Sequence, residues 1–195
     1  MPPAETRERI LAAARDVYAE VGALHFSLRE VARRTGVTAA AIYRHFEGKE
    51  ALLAAVCDEG FRVFTAYLVR SLAAPTPRER LLTMADEYLH FGLERPRDYR
   101  VIFMTEPGEL LSPRDVREAP VPPSFQLLVD RVVECMTDGT IAPGDPAEVA
   151  VTVWAHVHGL LALHLSGHLA PFGDEAAFQR IFRASTRRLV DGLRP

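Results

Sequence analysis

Between residues 29 and 49 stand a guanidinium at Arg29, a hydroxyl at Thr38, a phenol at Tyr43, a second guanidinium at Arg44, an imidazole at His45 and an ammonium at Lys49. These groups are cations and hydrogen-bond donors, suited to charge-assisted bonds with anions such as phosphate. Ala39 and Ala40 lie among them and offer only methyl groups. Bond-making chemistry needs other patterns, and the chain contains no GxSxG, HExxH or GxxxxGK[ST] run. Four histidines, His156, His158, His164 and His168, crowd a later segment. His164 and His168 have the i,i+4 spacing of a metal pair, but no cysteine or carboxylate completes a tetrahedral site. No metal and no cofactor are therefore expected, and the residues point to binding and not to an enzyme.

The whole chain sets the background for this cluster. Its 195 residues, 48% hydrophobic and 25% charged, suit a folded globular protein. The net charge of −3 argues against a surface coated for nucleic acid. Residues 28–49 depart from that average: Arg29, Arg33, Arg34, Arg44 and Lys49 face only Glu30 and Glu47. Such asymmetry marks an anion-facing module on an acidic body. Cys57 and Cys135 form no CxxC pair, which fits a reducing compartment. The first twenty residues carry charges throughout, unlike a signal peptide. No run approaches the roughly 18 uninterrupted apolar residues of a membrane span. A cytoplasmic protein with no membrane partner is expected.

Nearly every segment has helical period. Glu5 to Val21 place Ile10, Leu11, Ala14, Val17, Tyr18 and Val21 on one stripe, and Gly22 ends it. Ser27 and Glu30 have capping-box spacing, with Phe26 and Val31 as a hydrophobic staple. That helix runs to about Thr35, where Gly36 supplies a left-handed stop. Thr38 caps the next helix, with Val37 and Ile42 as its staple. A long helix opens at Lys49 and reaches about Leu72, before Pro75 and Pro77. Further helices are expected at 78–94, 96–105, 123–138, 146–166 and 174–193. The proline-rich segment 106–122 reads as a connection, with one helical turn at 109–111. The expected class is all-α, an N-terminal three-helix unit at 1–50 followed by a larger helical domain at 51–195.

Two short capped helices joined by a tight glycine turn form the helix-turn-helix unit. Its second helix lies in the major groove of DNA while its first crosses the backbone. Small Ala32 permits close approach of the two helices, and Val31, Val37, Ile42 and Phe46 are expected to bury against the first long helix. Ala39, Ala40, Tyr43 and Arg44 then occupy the opposite face.

The stretch SLREVARRTGVTAAAIYRHFEGKEALLAAV, residues 27–56, resembles the N-terminal DNA-binding domain of the tetracycline-repressor (TetR) family of bacterial transcription regulators. It matches the family pattern at Ala32, Gly36, Val37, Tyr43, His45, Phe46, Lys49 and Leu52. YRVIFMTEP after ERPRDY, and TVWAHVHGLLALHLSG, resemble the ligand domain of a subgroup named for Trp-His-Gly, with Trp154, His158 and Gly159 at those positions.

The resemblance implies roles for matched positions. Arg29 contacts phosphate or a base edge, and Thr38 with the amides behind it holds a phosphate at the helix N-terminus. Tyr43 and His45 clamp the backbone, and Lys49 reaches a flanking phosphate. Ala39 and Ala40 occupy base-reading positions but offer only methyl contact. Arg44 is placed for a guanine edge or a phosphate.

It also implies a homodimer on a palindromic double-stranded operator, formed by the last two helices, for which Val153, Val157, Leu160, Leu161, Phe178, Phe182 and Leu189 are candidates. A small-molecule effector of unknown identity would lie among Met84, Tyr88, Phe91, Phe103, Met104, Phe125, Leu128, Trp154 and His158, a set as well suited to plain core packing. The implied function is a repressor released from its operator by that effector. The alternative is a DNA-binding regulator whose C-terminal domain only dimerises or binds a protein partner.

Overall fold

The computed structural model describes residues 3–104 and 121–195, and every regular element among them is helical. In chain order these are α1 (Pro3–His25), α2 (Leu28–Thr35), α3 (Ala39–Tyr43), α4 (Lys49–Val69), a 3-10 turn (Arg70–Ala73), α5 (Pro77–Glu94), α6 (Pro96–Phe103), α7 (Pro123–Thr137), α8 (Pro146–Leu165), a second 3-10 turn (Ala170–Phe172) and α9 (Glu175–Gly192). The class is all-α, as the periodicity implies. The turn expected at 109–111 lies outside the described residues.

Two compact units divide the chain. The first runs through Val63 and includes α6; the second comprises Phe64–Glu94 and Val121–Pro195. The sequence places a boundary at residue 50, whereas here the division falls inside α4. Packing explains why α6 joins the first unit. Val101 is buried in the same core as Ile10, Val31 and Ile42. On the polar side, Asp98 is only 5% exposed, with its carboxylate 3.4 Å from Arg15 Nε of α1. Arg97 lies 3.5 Å from Asp16 beside it. A buried carboxylate needs such partners to offset its lost hydration.

Within the first unit, α1 is interrupted at Gly22 (φ 68°, ψ 177°), and Val21, expected on the buried stripe, is exposed just before it. Ser27 caps α2 by accepting from Arg29 N at 3.2 Å. The reciprocal half of the expected capping box is replaced: the Glu30 carboxylate binds Arg33 and Arg34. Gly36 adopts φ 68°, ψ 17°, the left-handed stop read from the sequence.

In the second unit α5 packs against α7, α8 and α9. Asp145 and Asp174 cap α8 and α9, accepting from Ala147 N and Ala177 N at 2.8 Å each. Gly92 lets α5 close on α8: a Cβ there would stand 2.3 Å from Leu161 Cδ2 and 3.1 Å from its Cγ. Leu161 is fully buried, so any shift it makes must displace packed neighbours. Gly92→Ala is therefore expected to lower stability by about 1–3 kcal/mol of overpacking, less about 1 kcal/mol of helix propensity gained. Thermal melting followed by circular dichroism reads the effect, and a variant melting at or above wild type would show that α5 and α8 have slack.

Candidate nucleic-acid interface

The five residues of α3 are held from one side only. Ile42 is fully buried and Phe46 nearly so, both in the core with Ile10, Ala14 and Val31. Val37 packs partly buried against the same core. Thr38 caps the helix, its Oγ1 accepting from Ala41 N at 3.2 Å. The opposite face is open: Thr38, Ala39, Ala40, Tyr43 and Arg44 are exposed, Tyr43 by 58%. His45 and Lys49 are half-buried, and Arg29 is exposed on α2. All eight candidate DNA-binding residues thus belong to the first unit, and none is sealed in its core. Lys49 Nζ lies 6.0 Å from the Phe26 ring centroid at the start of α4, which orients the side chain by a cation–π contact.

Two of the cations counted in this region are engaged by carboxylates. Arg33 donates to Glu30 twice at 2.7 Å, and Arg34 donates to Glu30 at 2.8 Å and to Glu20 of α1 at 2.6 and 3.0 Å. Hydrogen bonds from Arg33 and Arg34 hold the Glu30 carboxyl down to about 2, and Arg34 lowers Glu20 as well. Sequence reasoning also missed two arginines of α1. Arg9 Nη2 donates to the Thr35 carbonyl at the end of α2, and the Arg7 guanidinium lies 5.1 Å over the Phe46 ring. Neither contact has a local signal, since partners 26 or more residues away leave no periodic trace.

The ligand candidates divide between the units. Phe103 packs edge-on against Phe61, and Met104 is exposed, both in the first unit. The rest lie in the second, where several form one chain of contacts. Phe125 meets Trp154 at 6.0 Å, Trp154 meets His158 at 5.9 Å, and the Tyr88 hydroxyl lies 3.0 Å from His158 Nδ1. Phe64 then joins Tyr88 to Phe91. Met84, Tyr88, Phe91 and Leu128 are buried, while Phe125, Trp154 and His158 are half-buried. Burial lowers the His158 pKa, favouring the neutral ring.

Burial also revises the dimer candidates. Val153, Val157, Leu161, Phe178 and Phe182 are 0–4% exposed within a single chain, so they fill its own core and have no surface left for a partner. Leu160 and Leu189 remain half-buried. The outward faces of α8 and α9 carry Val151, Leu163 and Ile181, 49%, 44% and 42% exposed. α8 is long and apolar enough to cross a membrane by length and composition alone.

The histidines do not converge. His164 stacks on Phe178 at 3.9 Å, His168 Nδ1 bonds the Ser166 hydroxyl at 2.7 Å, and His158 is engaged by Tyr88. Among the described residues no three ligating side chains group together. Burial raises both cysteine thiols to about 11, well away from a reactive thiolate.

Residues 10–56 match the family of bacterial regulatory proteins called tetR, and residues 81–189 match the tetracyclin repressor-like C-terminal domain. The HTH-type transcriptional regulator RutR of Escherichia coli K12 is 25% identical over 198 residues, covering 97% of this chain and 91% of RutR. A solved protein of unknown function from Rhodococcus sp. RHA1 superposes with a TM-score of 0.78 at 29% identity, covering 97% and 96% of the two chains. AibR, solved with isovaleryl coenzyme A and operator DNA, superposes at 0.76 with 22% identity, covering 95% and 98%.

The ion pairs that Glu30 makes with Arg33 and Arg34 within α2 predict an acid limit. Glu30 is depressed on folding, so its contribution is complete above its ordinary value of 4.5 and disappears as pH falls through about 2. The difference in urea midpoint between wild type and Glu30→Gln is expected to be constant above pH 4.5 and to close toward pH 2. A difference that persists undiminished at the acid end would refute the pairing.

Proposed function

The chain belongs to the tetracycline-repressor (TetR) family of bacterial transcription regulators, and on that premise we propose that it is a cytoplasmic, homodimeric repressor that leaves a palindromic operator when a small molecule binds its second unit. The observation that carries the DNA-binding part is the one-sided burial of α3. Ile42 is fully buried, while Thr38, Ala39, Ala40, Tyr43 and Arg44 stand exposed on a helix joined to α2 by a left-handed glycine turn.

Thr38 and the free amides of its helix hold one phosphate, Tyr43 and His45 a second, and Lys49 a flanking one. Such contacts orient the helix and supply affinity, whereas Arg44 and Arg29 are the side chains long enough to read base edges. One such head buries too little for tight specific binding, so two copies act on half-sites about one helical turn apart. The outward apolar residues Val151, Leu163 and Ile181, with half-buried Leu160 and Leu189, form the seam between copies. A membrane is the other surface such an apolar helix suits, and the regulator family makes a second copy the better partner.

The effector reading rests on half-buried Phe125, Trp154 and His158 around the Tyr88 hydroxyl, and on AibR, where one protein holds both an acyl coenzyme A and operator DNA. To act as a release signal, the ligand must bind the non-operator arrangement more tightly. The finer Trp-His-Gly assignment rests on Trp154, His158 and Gly159 alone. A specific observation favours the second reading, a C-terminal unit that only dimerises or binds a protein: Met84, Tyr88 and Phe91 are at most 4% exposed and already packed.

Two measurements test these proposals. In a fluorescence titration against duplex DNA at rising salt, Lys49→Ala is expected to flatten the log–log slope by about 0.9, and Tyr43→Phe to weaken binding to all duplexes. Unchanged binding by both variants would remove the assigned contacts. Sedimentation tests the seam: Val151→Asp and Ile181→Asp are expected to give folded monomers that bind operator at least tenfold more weakly. A dimer surviving both changes would place the interface elsewhere.

A further inference from the structure

On α2, Val31, Ala32 and Thr35 face the core, so the outer face carries Arg29, Glu30 and Arg33. Arg29 and Arg33 are four residues apart and share that face one turn from each other. A phosphate backbone met by Arg29 is therefore within reach of Arg33, whose side chain is 72% exposed. Yet Arg33 is folded back on Glu30 in a two-pronged pair, both bonds 2.7 Å. The same carboxylate takes Arg34 Nε at 2.8 Å, while Glu20 of α1 takes the two terminal nitrogens of Arg34 at 3.0 and 2.6 Å. Two acids thus occupy two arginines on the helix that crosses the duplex.

We propose that Glu30 is a discrimination residue: by clamping Arg33 and Arg34 it withholds two cations from phosphate and keeps affinity for non-operator DNA low. The inference rests on the DNA-binding reading. Sequence-independent affinity grows with each phosphate neutralised, whereas base contacts are unaffected by the clamp. A carboxylate on the same face also repels phosphate directly. Both effects lower affinity for a duplex bound without base contacts, whereas at a site whose base-edge contacts fix the register the phosphate backbone draws Arg33 out of the clamp, so specific binding loses less and its ratio to non-specific binding rises. Because exposed ion pairs are individually weak, the clamp can yield to an operator that draws Arg33 toward its backbone.

The test is the salt dependence of binding to a random-sequence duplex and to a duplex selected from a random pool, from roughly 50 to 200 mM salt. Glu30→Gln is expected to tighten random-duplex binding about tenfold and to steepen the log–log slope by about 1 to 2, narrowing the preference for the selected duplex. Glu30→Gln with Arg33→Gln should return about 0.9 of that slope. Glu47→Gln removes an equal charge nearby without releasing an arginine and should leave the slope near wild type.

Two results overturn the proposal: a folded Glu30→Gln whose slope is unchanged or shallower, or a Glu47→Gln that steepens it equally. Should Glu30→Gln fail to fold, Arg33→Gln alone serves as the test: a clamped Arg33 neutralises no phosphate of a random duplex, so the slope there should stay near wild type, and a slope shallower by about 0.9 would reject the clamp. Wild-type protein showing no salt-dependent binding to either duplex would reject the DNA-binding reading itself, a separate outcome.

Discussion

A helix of five residues cannot sustain itself, because nucleation fixes several residues for each hydrogen bond gained. α3 exists because Ile42 and Phe46 are driven into the core beneath α1, while Gly36 sets the turn and Thr38 closes the first amides. Everything assigned to the reading surface depends on that anchoring. With one face carrying all the packing, the other face has no structural duty. Its small Ala39 and Ala40 permit close approach to a groove, and Tyr43 and Arg44 project from it.

The arginines show a corresponding division of labour. Arg9, Arg15 and Arg34 tie α1 to its neighbours through the Thr35 carbonyl, Asp98 and Glu20. Arg80, Arg131 and Arg183 serve the second unit, pairing with Glu134 and Asp86. Exposed pairs of this kind contribute little each, whereas Asp98, withdrawn from water, is costly to leave unpartnered. Many of the chain's arginines are thus engaged by its own carboxylates, in keeping with a net charge of −3.

In the second unit one helix serves two faces. α8 supplies Val153, Val157 and Leu161 to the chain's own core, while Val151 and Leu163 point outward. Its apolar period is consequently broad, and a stripe drawn from sequence selects the inner residues first because they recur most regularly. That is why the dimer candidates of the sequence turn out mostly buried, and why the outward set was not distinguished. The aromatic candidates behaved differently: Tyr88, Phe125, Trp154 and His158 do come together, through ring contacts and one hydrogen bond.

Local chemistry was readable from the chain alone. Helical period, cap residues and glycine stops act over a few positions, so the order of the helices, the turn at Gly36 and the buried set Val31, Ile42 and Phe46 follow from residue types in line. Family membership is legible for the same reason, since its pattern occupies contiguous positions in residues 27–56. Only the tertiary structure decided which charges are neutralised, which apolar face is already used, and that α6 belongs with the first unit. Those outcomes arise from groups distant in sequence, such as Arg34 with Glu20 or Asp98 with Arg15, meeting where lost hydration must be offset. No local period records such a meeting.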